Sequence, residues 1–352
     1  MNLHILIPHL FWPDASQINI YNALPVHHLE ALLSKSASTI NPPQEMETWL
    51  CRQFNIAPQQ NNWPIAPIML HLDAPDLAKA SKDFWMRADP VHLRIEQNHI
   101  MLADSQAFQI TENEAKELMQ DLNNNLANYD CALLPLRPDR WYLRLAKMPD
   151  MQTYTLGQVT CKNINNFLPS GNDSIMWHKI FNEIQMLLHD HPVNLARESR
   201  GELIINSVWL WGGGKLPQSA RSPYTRVWSD DDFSHALASV SGTTYSHLPA
   251  DAGEWLMTQP QGDHLVVLNS LRAKAQYRNA YDWREALAEM ERHWFSPAHT
   301  ALKQGKINQL TITALDGTAT RNFTLTRSSL WKFWRMTKPL SIYTEKHQPD
   351  YE

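Results

Sequence analysis

With 352 residues the chain can hold one large α/β domain or two ordinary ones, and 43% hydrophobic content with 14 Trp and 13 Met is that of a folded protein with a substantial core. A net charge of -5 with no basic stripe argues against direct binding of nucleic acid or of an anionic membrane surface. No apolar run approaches the roughly 18 residues of a bilayer span, the N-terminus lacks the features of a signal peptide, and Cys51, Cys131 and Cys161 are odd in number and far apart, as expected of reduced thiols in a cytoplasmic protein.

Residues 3–7 read as a first strand, and 8–13 as the loop at its end, with Asp14 the acidic residue nearest that edge. Short helices are expected over 26–35 and 45–54, separated by a Ser/Thr/Pro linker at 36–43. A strand is expected over 65–72 despite Pro67. From Trp85 onward the pattern becomes that of a hairpin, 91–95 against 99–102, turning at Glu96, Gln97 and Asn98. A helix then opens at Thr111, which has capping-box spacing to Glu114. Arg87, Asp89, His92 and Arg94 form a dense polar group in which His92 and Arg94 share a strand face. That face either lines a pocket or is simply salt-bridged, and the second reading is the commoner one. Residues 137–145 read as a further strand, alternating Arg140, Tyr142 and Arg144 with Trp141, Leu143 and Leu145.

The stretch 182–217 carries the densest chemistry. It begins in a helix capped near 170–174, whose Trp177, Ile180, Phe181, Ile184, Leu187 and Leu188 fall on one stripe. Pro192 ends that helix at about His189 to Asp190. His189, Asp190 and His191 invite a metal, although a histidine at a helix C-terminus is explained better by the helix dipole. A charged loop follows, in which Asn194, Arg197 and Arg200 could hold a phosphate or carboxylate, with Glu198 and Glu202 close enough to neutralise the arginines instead. Residues 203–211 read as a strand covered on both faces and interrupted by Asn206 and Ser207. Gly212, Gly213 and Gly214 then read either as a turn presenting amides to an anion or as a plain tight turn.

Beyond it, a helix over 233–240 follows an acidic cap at 229–232, a strand is expected over 264–268, and a long helix over 281–302. Strands 310–315 and 323–326 make a closing hairpin around Asp316 and Gly317, before a polar tail expected to fray over 346–352.

The segments ADPVHLR (88–94), RWYLRL (140–145), NEIQMLLH (182–189), HPVNLARESRGELIINSVWLWGGGKLP (191–217) and KFWR (332–335) resemble the RpfE-type bacterial regulatory protein family, itself related to the archaeal-type cofactor-independent phosphoglycerate mutases. The resemblance implies an alkaline-phosphatase-like α/β fold: one domain over 1–345, a central mixed sheet with helices on both faces, and an inserted α+β subdomain at 85–161. The mutases resembled use two divalent metals and a serine or threonine nucleophile. This chain departs from them at the metal-bearing positions, where Pro8-His9-Leu10 with Asp14, then Asp282 with Arg284 and Glu285, and Asp316-Gly317-Thr318 stand instead. The expectation is therefore a degenerate, non-catalytic mutase-like protein with no cofactor, which binds an anionic metabolite or a protein partner. Two alternatives are an active manganese- or zinc-dependent phosphomutase or phosphatase, and a scaffold subunit for an enzyme such as the single-strand DNA exonuclease often encoded beside family members. Whether Asp14, Asp282 and Asp316 converge separates the enzyme from the rest.

Overall fold

The structure is a computed structural model describing residues 1–344 other than 15, 97, 98, 259, 260 and 333. The hairpin turn at Gln97 and Asn98, Phe333 of the KFWR segment and the polar tail at 346–352 lie outside the described residues. In chain order the strands are β1 (Asn2–Pro8), β2 (Ala37–Asn41), β3 (Phe84–Glu96), β4 (His99–Ala103), β5 (Cys131–Arg137), β6 (Arg140–Leu145), β7 (Ser207–Gly214), β8 (Arg226–Trp228), β9 (Thr244–Ser246), β10 (Asp263–Val267), β11 (Gln309–Leu315) and β12 (Thr320–Thr326).

Two compact units emerge, one of Met1–Gln53 with Ser222–Glu352 and the other Phe54–Arg221. The second contains the 85–161 stretch expected as an insertion, but begins earlier and ends later. Its core draws on the helix Ser174–His189 and on β7 as well as on β3 to β6, so those elements cannot be separated from it.

The first unit is a seven-stranded mixed sheet in the order β2-β12-β11-β1-β10-β8-β9, flanked by helices. Strands β11, β1, β10, β8 and β9 run parallel, and at one side β12 pairs antiparallel with both β11 and β2. The central β1 is apolar through Ile5, Leu6 and Ile7, all fully buried, as a parallel strand covered on both faces must be. The closing hairpin of β11 and β12 and the helix Asp232–Ser241, capped by the Asp231 carboxylate accepting from Ser234 N, form as their patterns predict. The expected linker at 36–43 instead contains β2, an edge strand exposed along its whole length. It shows no alternation because neither face is buried. The long helix is continuous but widens into a π-helical turn at Glu291–Phe295. From that turn Glu291 reaches the start of the helix His27–Lys35, accepting from His28 N at 2.7 Å and Leu29 N at 3.0 Å. A carboxylate at a helix N-terminus satisfies two of its unpaired amides.

In the second unit β3 is the organising strand. It pairs antiparallel with β6 through Phe84 to Arg87, with β7 through Trp85 to Val91, and with β4 through His92 to Glu96. Residues 65–72 are not a strand: Ile65–Asp73 is a helix packed on β7 and β3, with Ile65 to Leu70 all buried. A helix apolar all round has no polar stripe to betray its period, and Pro67 lies in the first turn, where the missing N–H breaks no helical bond. The Thr111/Glu114 capping box is present on the helix Glu112–Leu126.

Candidate functional site

Three places gather the residues singled out above. The first lies around the helix Pro192–Ser199, which replaces the expected charged loop. Proline at its first turn and His191 as its N-cap, with Nδ1 accepting from Val193 N at 3.2 Å, start a new helix immediately after Ser174–His189 ends. Asn194 is buried and brackets the chain, its amide donating to Leu188 O and Ile205 O at 2.7 Å and its carbonyl accepting from Ile205 N at 2.8 Å. Arg197 is 1% exposed. Its Nε donates to Leu203 O at 2.8 Å, Nη2 to Gln109 O at 2.8 Å, and Nη1 to both Glu114 oxygens at 3.1 Å, with the guanidinium 5.8 Å from the Phe108 ring. Arg200 spans Glu202, at 2.9 and 2.8 Å, and Glu114, at 2.8 Å. Burial alone raises the Glu114 carboxyl, but hydrogen bonds from Thr111 and the Arg197 charge outweigh it and hold that carboxyl below its usual range. The two arginines therefore serve the protein's own carboxylates and carbonyls. His189 is exposed at its helix end, 3.8 Å from Asp190, and His191 Nε2 faces Asp121 at 3.0 Å, so the two histidines do not share a partner.

The expected glycine turn is part of β7. Relative to Trp85 and Arg87 of β3, β7 carries an extra residue between Gly214 and Trp211, and Gly212 has φ +66°. That is a bulge with glycine in the left-handed region. A Cβ on Gly213 would stand 2.9 Å from the Phe84 ring, and one on Gly214 would stand 2.6 Å from Pro64 Cβ. These glycines let the helix Ile65–Asp73 and β3 close onto β7, and their amides belong to a buried strand. Asn206 extends the ladder by one side chain, accepting from Leu93 N at 2.7 Å and donating to Leu93 O at 2.8 Å.

The second place is a buried charged cluster at the β3, β6 and β7 crossing. Arg87 grips Asp89 through Nε at 3.0 Å and through Nη2, between the Tyr142 and Trp211 rings at 5.5 and 5.4 Å. Asp89 also accepts from Trp211 Nε1 at 2.6 Å. Burial raises the Asp89 carboxyl, opposed by Arg87 and the Trp211 hydrogen bond. Close by, Asp73 at the helix end takes Arg140 Nη1 at 2.9 Å, Arg137 Nε at 3.0 Å and the Tyr142 hydroxyl at 2.7 Å. Asp73 is not legible as a site residue, because it lies just beyond residues 65–72, which read as a strand rather than as the helix that carries it. His92 and Arg94 stand apart from this cluster, His92 Nδ1 at 2.8 Å from Ile204 O and Arg94 Nε at 3.2 Å from Glu96.

The third place is the edge of the first unit at the carboxyl ends of its parallel strands, where open α/β sheets bind ligands. Asp316, just beyond β11, accepts from Thr318 N and Ala319 N at 2.8 Å on one oxygen and from Arg321 on the other. Asp14, beyond β1, accepts from Ser16 N at 3.0 Å and faces Arg278 at 3.7 Å. Hydrogen bonds from Ser16, helped by Arg278, hold its carboxyl below the usual range. Asp282 is taken by Asn279 Nδ2 at 2.7 Å. Beyond β10, Arg272 pairs with the buried Glu47 at 2.7 Å. Asp231, after β8, binds Ser234 and is raised by burial and then by Glu47. Among the described residues no three His, Cys, Asp or Glu side chains form a group able to hold a metal ion. The donor set does not fit two divalent cations. A metal ligand must turn its lone pairs to the ion, whereas Asp14 and Asp316 turn theirs to amides and arginines, and Glu47 gives Oε1 to Arg272 and keeps only Oε2 buried and unpartnered.

Comparison with known proteins places part of the chain. Residues 75–194 match the family model for 2,3-bisphosphoglycerate-independent phosphoglycerate mutase. A protein of that name from Methanosarcina barkeri is 29% identical over 145 residues, 40% of this chain and 35% of its own length. Another from Methanothrix thermoacetophila is 40% identical over 60 residues, 17% of this chain and 15% of that protein. The chain thus aligns with about a third or less of these curated relatives. The fold is shared with the PH0037 protein from Pyrococcus horikoshii at a TM-score of 0.56 and 11% identity, covering 92% of this chain and 87% of that one. Through the segment 75–194, which holds β3 to β6 and most of the residues of the buried charged cluster, the chain is related to the 2,3-bisphosphoglycerate-independent phosphoglycerate mutases.

Proposed function

We propose that the chain is a phosphoglycerate-mutase-like protein that has given up metal-dependent phosphoryl transfer and acts by binding, in the regulatory manner expected of the cytoplasmic RpfE-type family. The observation that carries this reading is the occupation of the carboxyl-edge acids by arginines, Asp316 by Arg321 and Glu47 by Arg272, with Arg278 facing Asp14. Each guanidinium brings to its acid the positive charge that a cation would otherwise supply. The test is elemental analysis after dialysis against manganese and zinc, with a phosphoglycerate mutase and phosphatase assay on the same sample. No stoichiometric metal and no chelator-sensitive turnover is expected. Retained metal with turnover that chelator abolishes would replace this reading with the active phosphotransferase.

A specific observation also favours an anionic metabolite as one ligand. In the buried cluster the guanidinium groups of Arg87, Arg137 and Arg140 gather around Asp73 and Asp89, and the Arg137 side chain is 46% exposed. A guanidinium at an accessible edge supports a small phosphorylated acid there rather than at Arg197, which is 1% exposed. Thermal stabilisation by 3-phosphoglycerate that Arg137→Ala abolishes and Arg200→Ala leaves intact is the expected result; the reverse pattern would return the site to Arg200. The exonuclease scaffold is the competing protein-partner reading, tested by co-purification from the native cell.

A further inference from the structure

The segment from Arg327 to Thr344 holds four cations, Arg327, Lys332, Arg335 and Lys338, and no acidic residue, in a chain of net charge -5. It also carries large apolar side chains on the surface: Trp331 is 72% exposed, Trp334 67% and Met336 83%. Tryptophan and methionine at this exposure lose hydrophobic free energy unless something covers them. The segment is pinned beside the start of β2. Arg335 Nη1 donates to Ser36 O at 2.7 Å, Lys35 Nζ to Leu330 O at 3.2 Å, and Lys338 N to Ser34 Oγ at 2.8 Å.

Strand β2 is itself unprotected. It ends the seven-stranded sheet, pairs only with β12 among the described residues, and its five residues are all exposed. Edge strands are ordinarily blunted by lysine, proline or a bulge; Ala37-Ser38-Thr39-Ile40-Asn41 contains none of these, and Ile40 is 54% exposed. An unpaired, uncharged edge beside a basic aromatic surface offers backbone hydrogen bonds, apolar contact and positive charge together.

We propose that this surface docks an extended acidic and apolar segment of a partner protein, which adds as an eighth strand along β2. Its main chain pairs with the β2 edge, its apolar side chains cover Ile40, Trp331 and Met336, and its carboxylates meet Lys332, Arg335 and Lys338. Charge selects this occupant over a second copy of the chain, because two copies joined edge to edge would bring two sets of these cations together. The open strand edge selects it over a membrane or a nucleic-acid strand, neither of which satisfies backbone N–H and C=O groups in register. The inference gives the binding reading above a place and a partner chemistry, and rests on it only in taking binding to be the function.

The test titrates the full chain into a fluorescein-labelled dodecapeptide alternating glutamate and valine, read by anisotropy. The parallel probe is the same peptide with alternate valines replaced by proline, which keeps the charge and removes the strand. Saturable binding of the first peptide is expected, weakened at least about tenfold by Lys332→Glu with Lys338→Glu and likewise by Ile40→Lys, with thermal midpoints unchanged. Equal binding of the proline peptide would reduce the surface to charge alone and overturn strand addition. Absence of peptide binding would also overturn the proposal, whether or not phosphatidylserine vesicles or oligothymidylate bind. So would concentration-dependent dimerisation that Ile40→Lys abolishes, since it would make a second copy the occupant. Metal-dependent turnover in the separate assay would remove the non-catalytic reading and leave the peptide result standing.

Discussion

Arg197 and Glu114 stand 83 positions apart in the chain, yet the Arg197 guanidinium donates to both Glu114 oxygens at 3.1 Å. Glu114 is at the same time the third residue of a capping box, accepting from Thr111 N at 2.9 Å. One carboxylate thus fixes the start of the helix Glu112–Leu126 and the end of Pro192–Ser199. Removing the arginine leaves Gln109 O and Leu203 O without a charged donor in a buried setting, and leaves Glu114 with Arg200 and the Thr111 cap.

Arg197→Ala is accordingly expected to destabilise the fold by about 3–5 kcal/mol, the cost of breaking a buried ion pair on one side. Chemical denaturation at neutral pH measures it. Arg197→Lys should recover little, because an ammonium cannot reach Leu203 O, Gln109 O and Glu114 with one planar fork. A variant of wild-type stability that has lost stabilisation by a phosphorylated acid would restore Arg197 to a ligand site.

Much of this architecture could be read from local pattern. The stripe of Trp177, Ile180, Phe181 and Ile184, the Thr111/Glu114 box and the closing hairpin around Asp316 and Gly317 all formed because near neighbours specify them. What could not be read depends on distant partners. Residues 65–70 of the helix Ile65–Asp73 are all buried, against β7, β3 and the helix Pro75–Ala80, so the sequence carries no amphipathic period. The partner of Arg197 is hidden in the sequence for the same reason: the residue type suits an anion, and the anion beside it is Glu114, held there by a separate helix. The three glycines read as a turn in the sequence, yet they are dictated by Pro64, Ile65 and Phe84 pressing on a strand, which only the tertiary packing reveals.

That packing makes Gly213 and Gly214 testable. Gly213→Ala places a methyl group against the Phe84 ring and Met86 Cγ, and is expected to cost about 1–3 kcal/mol, as overpacking of a well-filled core does. Combining it with Phe84→Leu should recover part of the loss, since the contact is with the ring. Gly214→Ala meets Pro64 Cα and Cβ, which are held by backbone, and should cost more with no such rescue. If neither glycine exchange lowers the unfolding midpoint, the glycines are not packing residues and the amide-donor reading returns.

The pH dependence of stability in the first unit should be dominated by His4 of β1. Its Nε2 lies 2.7 Å from Thr313 Oγ1, which donates onward to Asn322 Oδ1, so Nε2 is the donor nitrogen; Nδ1 lies 2.9 Å from the Tyr224 hydroxyl, nearer than that hydroxyl's other partner, Gln53 Oε1 at 3.2 Å, and is placed to accept. That arrangement suits the neutral ring, and burial lowers its pKa from 6.5 to about 4. Between those values the unfolded chain binds the proton and the folded chain does not, so stability is complete above pH 6.5 and declines as the pH falls towards 4. The full loss from this one group is on the order of 3 kcal/mol. His264, also lowered by burial, acts in the same direction. Urea titrations at intervals from pH 7 down to pH 4 should show that decline in the parent chain. His4→Gln, which keeps a hydrogen-bonding side chain without a titrating ring, should be less stable at pH 7 but should lose less on acidification, and identical slopes for the two proteins would mean that the proton is taken up elsewhere.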